Sequence, residues 1–187
     1  MSRDDLRPLL LLIVLAAASW ALATWLQQRE LAPKPPGHAP DYELDDLELT
    51  TMGPDGAPRR RLAARRMVHY PDDDSTELTE PHLTVFDSRR PPWEVRSARG
   101  WVSRDGELVL LEGEVHIDRA AAEGVRAVQI LTHDLRVQPK ASYAETDQPV
   151  DARSGTDRVQ AVGMQLWFDG PMRLKLLSKV RGRYEVK

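Results

Sequence analysis

The stretch "RDGELVLLEGEVHI", Arg104 to Ile117, decides the fold class. Its second half alternates. Leu111, Gly113, Val115 and Ile117 fall on one side, while Glu112, Glu114, His116 and Asp118 fall on the other. Strict alternation at period two, entered through an Asp-Gly turn, is the pattern of a half-buried β-strand. The rest of the chain must then supply what this strand pairs with and what its apolar side covers.

Turn signals recur from residue 41 onward: "GPDG" at 53–56, "YPDDDS" at 70–75, "RDG" at 104–106, "VQPK" at 137–140 and "FDG" at 168–170. The runs between them are mostly of strand length, and none offers a long amphipathic helix, so residues 41–187 are expected to form an all-β domain. A small-x-x-large element repeats as Ala64–Met67, Ala98–Trp101, Thr132–Leu135 and Ala161–Met164, with starts 34, 34 and 29 residues apart. That spacing suggests four two-strand units. Positions three apart face opposite sides of a regular strand, so each element either changes face or carries a bulge. Gly100 and Gly163 sit inside two of these elements; a side chain at Gly163 is expected to obstruct the bend or a neighbouring edge, so that Gly163→Arg impairs partner assembly more than expression. Strands that bend in this way are expected in a twisted jelly-roll or sandwich.

The first forty residues have a different character. Pro8 to Gln28 is a run of 21 residues without a charge. As a helix it would cross the hydrocarbon core of about 30 Å. Nine Leu, Ile and Val residues between Leu9 and Leu26 favour insertion, by roughly 3–5 kcal/mol. A cleaved signal peptide is the competing reading, because "ALA" at 21–23 resembles a cleavage site. The apolar run is longer than such segments usually are, and it continues past that site. The expected organisation is a stub at 1–7, a transmembrane helix at 8–28, a linker at 29–40 with four prolines in its last ten residues, and the β domain at 41–187. Charge bias around the span is too even to orient it.

No chemistry stands out. The net charge of −3 shows no basic excess suited to nucleic acid, and cysteine is absent. The five histidines lack metal-ligand spacing, and "DDDST" at 72–76 lacks an ordered calcium-loop pattern. Serines have no nucleophile-elbow context, and no glycine-rich phosphate loop occurs. Neither an enzyme nor a cofactor or metal site is expected.

The interior is more informative. Residues 41–187 hold nine aromatics, so what the sheet buries is mainly aliphatic. An ordinary filled core and an apolar trough that accepts acyl chains both fit this composition. The best-alternating strands place Leu83, Val85, Val95, Trp101, Leu111, Val115, Ile117, Leu174 and Leu176 on the inward side. In the last strand Met172, Leu174, Leu176 and Val180 oppose Arg173, Lys175, Lys179, Arg181 and Arg183. The basic side is either a solvated face or a surface for an anionic partner. Residues 41–58 carry six acidic side chains and no basic one, so the two ends of the domain are electrostatically complementary.

The stretches "APDYELDDLELTTMGPDGAPRRRLAARRMVHYPDDDSTELTEPHLTVFD" and "PPWEVRSARGWVSRDGELVLLEGEVHI" resemble the LptC family of lipopolysaccharide-export proteins of Gram-negative inner membranes. "ILTHDLRVQP", "ETDQPV" and "LLSKVRGRYE" fit as well. "HYPDDDSTELTEP" and "SKVRGRYE" are the most specific parts. The resemblance implies a single transmembrane helix, a cytoplasmic N-terminus and a periplasmic β-jelly-roll that binds the lipid A part of lipopolysaccharide. It implies an inner-membrane ABC transporter, LptB/LptF/LptG, as donor and the soluble jelly-roll LptA as acceptor. It further implies strand-addition docking: the edge around Tyr42, Leu44 and Leu49 would meet the transporter. The edge formed by Val180, Arg181, Arg183 and Tyr184 would meet LptA. A membrane-anchored scaffold with a filled core is the rival from another class.

Overall fold

The computed structural model describes residues 19, 20, 22, 37–87, 90–168 and 172–184. Residues 19, 20 and 22 are helical. The rest of the expected transmembrane segment lies outside the described residues, as do linker residues 29–36. Among the described residues no helix is long and apolar enough to cross a membrane. The chain divides into two units between Gly37 and His38, and the second is all β.

Ten strands follow in order: β1 (Tyr42–Met52), β2 (Pro58–Tyr70), β3 (Ser75–Thr79), β4 (His82–Val85), β5 (Trp93–Val102), β6 (Val109–Arg119), β7 (Val128–Gln138), β8 (Tyr143–Ser154), β9 (Asp157–Trp167) and β10 (Arg173–Arg183). They make one antiparallel sheet in which sequence neighbours are spatial neighbours. β3 and β4 share one position, both lying between β2 and β5. The break between them falls at Glu80, which has a φ of 53°, and at Pro81, which has no amide to donate. Acidic residues close the tight turns. Asp55, Asp73 and Asp105 each accept a hydrogen bond from the backbone amide two residues on, at 3.2, 3.0 and 2.9 Å.

A seam of irregularities crosses the sheet. Positive φ angles occur at Asp46 in β1, Glu80 at the β3–β4 break, Gly113 in β6, Asp134 in β7, Gly163 in β9 and Lys179 in β10. Register shifts fall at the same level, between Ser97 and Arg99, Leu111 and Glu114, Leu131 and Arg136, Thr146 and Pro149, and Ser178 and Arg181. Bulges release backbone groups from the ladder, and side chains take them up. The Thr132 hydroxyl donates to the Pro149 carbonyl at 3.0 Å, and the Thr146 hydroxyl to the His133 carbonyl at 2.8 Å. The Gly113 amide donates to Asp134 Oδ1 at 2.8 Å. Both threonines are buried, so these bonds avoid unpaired polar groups in the interior.

The seam resets which side chains point inward. In β7 the buried positions are Ile130 and Thr132, then Leu135; in β9 they run Ala161, then Met164 and Leu166. The small-x-x-large element is the trace of this reset. The core cluster joins both sides of the seam, with Val115, Ile117, Ile130 and Val150 from one half and Leu135, Ala144, Met164 and Leu166 from the other. The sheet is therefore bent upon itself, with its two halves facing. Each fully buried aliphatic side chain stabilises this arrangement by about 1.5–3 kcal/mol.

Two expectations are corrected by the register. Trp101 stands opposite Leu110, whereas Leu111 stands opposite Gly100. Trp101 is therefore on the face away from Leu111, because the β5 bulge at 97–99 shifts the inward phase onto Gly100. Val180 falls inside the Ser178–Arg181 irregularity, exposed and without a β9 partner, so it does not continue the Met172–Leu174–Leu176 series.

A clasp fixes the start of the domain. His69 Nδ1 lies 2.7 Å from Asp41 Oδ1 and Nε2 lies 2.9 Å from Asp74 Oδ1. Tyr42 stacks on its ring, and Arg104 Nε is 3.5 Å from the other oxygen of Asp74. The hydrogen bonds to Asp41 and Asp74 raise the His69 pKa above its ordinary value, and the bond to His69 lowers that of Asp41. The imidazolium contribution is fully present below the unfolded value of about 6.5 and is lost as pH rises through the folded one. The Asp41 contribution is present above its unfolded value and fades as pH falls through its depressed one. An NMR titration of the His69 ring should give a midpoint above that of an unstructured peptide, and Asp41→Asn should lower it. A midpoint insensitive to Asp41→Asn would contradict the clasp.

Candidate functional site

Residues directly opposite in adjacent strands share a face, so the register lets the inner face be followed across the whole sheet. One row runs Leu49, Leu62, Leu83, Val95, Ile117, Ile130, Ala152, Val159 and Gly182. Beyond the seam a second runs Leu44, Met67, Leu78, Gly100, Leu111 and Leu135, and Met164 pairs with Leu176 at the far side. A third runs Tyr42, His69, Thr76, Val102, Val109, Val137, Ala144, Leu166 and Leu174. Along these three rows the inner face is apolar from the first strand to the last, interrupted mainly by His69, Thr76 and the seam hydroxyls.

Burial along this face is uneven. Val115 and Met164 are 0 % exposed, and the interior between β6 and β9 is closed by side chains from both halves. At the ends the same face opens. Leu44 and Leu49 in β1 are 44 % and 56 % exposed, and Leu174 in β10 is 40 % exposed. Of the residues expected to line a trough, Leu83, Val95, Ile117, Leu111, Leu174 and Leu176 lie on these rows. Val115 lies among them in the core, and Val85 pairs with Trp93 at the strand ends. Trp101 does not join them. Sequence reasoning missed Ile130, Leu135, Val150, Met164 and Leu166, whose strands change phase at the seam.

The terminal strands have free edges. Among the described residues β1 pairs only with β2, and β10 only with β9. The acidic charge of β1 is partly neutralised within the domain, since Glu43 pairs with Arg66 and Glu48 with Arg61. At β10, Arg181 stands opposite Gln160 and Arg183 opposite Arg158. Arg158 is held by Asp151, which also meets Arg153. The Arg158 hydrogen bonds hold the Asp151 pKa at about 2, so that carboxylate stays ionised and leaves no spare charge for Arg183.

Nothing in the geometry suggests catalysis. A cleft of about 450 Å³ at the β5–β6 and β7–β8 turns is lined by Ser103, Asp105, Glu107, Arg136 and Lys140, among others; its Ser103 hydroxyl donates to Asp105 at 2.6 Å, and both groups also bond the backbone of the turn. Among the described residues no group of three or more histidines and carboxylates is placed to hold a metal.

Gly163 closes the picture at the last hairpin. Its φ is +78°, and a Cβ there would sit 2.9 Å from Leu177 Cδ1 and 3.2 Å from Leu177 Cβ. Gly163→Ala should destabilise the domain by about 1–3 kcal/mol, measured by chemical denaturation. Gly163→Arg should in addition raise hydrogen exchange in β10 relative to β6. Unchanged stability and exchange would contradict this account of the hairpin.

Comparison with known proteins adds the following. The family model described as lipopolysaccharide-assembly, LptC-related, matches residues 11–185. The lipopolysaccharide export system protein LptC of Escherichia coli strain K12 is 24 % identical over 152 residues, which cover 79 % of this chain and 76 % of that one. The proteins of the same name from Escherichia coli O157:H7 and Shigella flexneri match to the same extent.

Proposed function

The chain belongs to the LptC family of lipopolysaccharide-assembly proteins, and from that premise we propose that it is a membrane-anchored carrier of lipopolysaccharide. It catalyses no reaction of its own. The observation that supports this reading best is the apolar inner face, which runs through all nine strand positions and is exposed at both ends. Residues 8–28 would anchor it in the inner membrane with 1–7 in the cytoplasm. Residues 29–40 would act as a spacer, and 41–187 would form a periplasmic jelly-roll. It would take lipopolysaccharide from the LptB/LptF/LptG transporter and pass it to LptA.

Acyl chains lose about 0.8 kcal/mol for every CH₂ exposed to water, so several chains need a covered path. A face continuous from β1 to β10 provides one, provided the halves part where β6–β9 now close it. A passive face has no preferred direction, which must come from the ATP-driven transporter. Docking at the free edges would make the path continuous with those of the neighbours, with β1 adding to the transporter's sheet and β10 to LptA's. The closed β6–β9 interior favours the rival reading, a scaffold with a filled core and no cargo.

Photo-crosslinkers separate the two. At Leu83, Val95, Leu111 and Leu174 they should capture lipopolysaccharide in cells, and at Glu112, Glu114 and His116 they should not. Equal labelling of both sets would contradict the carrier reading. Removing residues 180–187 from the full chain should abolish LptA binding and leave transporter association intact. A folded truncation that still binds LptA at full affinity would exclude β10 as the docking edge. Charge neutralisation of Arg181 and Arg183 should slow association, with the deficit shrinking as salt rises.

A further inference from the structure

The outermost inner row of one half lies at the ends of the strands, where the bent sheet opens. It reads Arg60, Val85, Trp93, Arg119 and Val128. Trp93 and Val128 pack against the core cluster, so the arginines between and beside them share the apolar face rather than the solvated one. Arg119 closes β6, two residues beyond the buried Ile117.

The surroundings of Arg119 do not satisfy it. Its guanidinium lies 4.7 Å from the centre of the Trp93 ring. Nε is buried with no hydrogen-bond partner, and Nη2 reaches only the Arg126 carbonyl at 3.4 Å. Arg60, half-buried in the same row, makes no ion pair among the described residues. On the outer face the pattern is reversed. Arg61 pairs with Glu48, Arg96 with Asp118, Arg99 with Glu112, and Arg153 and Arg158 with Asp151. Charges that sit against apolar surface are ordinarily paired, and here the two on the inner side are not.

We infer that Arg119 and Arg60 form an anion site at the mouth of the apolar face, taking phosphate groups on the head of an acylated ligand whose chains lie inside. The inference rests on the carrier reading and adds the chemistry of the headgroup to it. Three strand spacings separate the two arginines, about 14 Å. That spacing suits a head that carries more than one phosphate. Trp93 stands between Arg119 and the aliphatic interior, with an apolar body for the chains and a π-face that already holds the guanidinium plane. Arginine is suited to this task, because its fork donates two parallel hydrogen bonds to phosphate oxygens.

The test uses the full chain in detergent and three probes: lipid A with two phosphates, with one, and with none. Wild type should bind the bisphosphorylated form at least about tenfold more tightly than the dephosphorylated one, as charge-assisted hydrogen bonds require. Arg119→Gln and Arg60→Gln should each remove part of that preference, and together all of it, with affinity for the dephosphorylated form unchanged. If Arg119→Gln does not fold, Arg60→Gln alone must still reduce the preference. A double variant that keeps the full preference, or a wild type that binds all three forms equally, overturns the anion site and leaves the carrier reading standing. A wild type that binds none overturns both. Inorganic phosphate should not compete, since it lacks the chains that supply most of the affinity. Displacement of lipid A by inorganic phosphate would overturn the assignment to a lipid headgroup.

Discussion

Everything in this domain depends on the bend. An antiparallel meander of nine strand positions has one apolar face and nothing to cover it, and such a face cannot remain open to water. The chain solves this within itself, by carrying a left-handed residue or a register shift at the same level in successive strands. The bulged backbone needs partners where the sheet turns, and the Thr132 and Thr146 hydroxyls provide them at 3.0 and 2.8 Å. Without those bonds the bend would bury unpaired carbonyls, at about 1–3 kcal/mol each. With them, Val115 and Ile117 on one half can meet Met164 and Leu166 on the other.

The same device explains why the face is continuous along the sheet but closed only in its middle. Strands β6–β9 bring large side chains from both halves into contact, while among the described residues the terminal strands have no neighbour beyond them. Their inward residues stay exposed for lack of a further strand, which is also why their backbone edges are free. An apolar surface and an unpaired edge at the same place are hazards in an isolated protein. Under the proposed docking they would serve a neighbouring protein that adds a strand and extends the face. Membership of a lipopolysaccharide-assembly family gives that arrangement a purpose.

Much of this fold is legible in the sequence. The alternation from Leu111 to Ile117, the Asp-Gly turns and the small-x-x-large spacing are local features, and local features survive folding. Cross-strand register is not local. The shift at 97–99 moved Trp101 to the far face, although the residues around it alternate well. Ile130, Leu135 and Met164 escape assignment to the inner face because their strands change phase at the seam, where no simple alternation can be followed. Alternation from Val115 and Ile117 carries Arg119 to the inner side, but its chemistry argues the other way. It ends a strand, where an arginine ordinarily meets solvent, and its pairing with Trp93 confirms the inner side.

The central claim is that the closed interior is an entrance held shut, rather than a finished core. Spin labels at Glu123 and Ala141 report on it, since these residues flank the opposite ends of β7 and both are exposed. Pulsed electron-resonance distances measured on the full chain should widen when lipopolysaccharide is added and return when it is removed. A distance distribution that is the same with saturating lipopolysaccharide as without it would contradict the account.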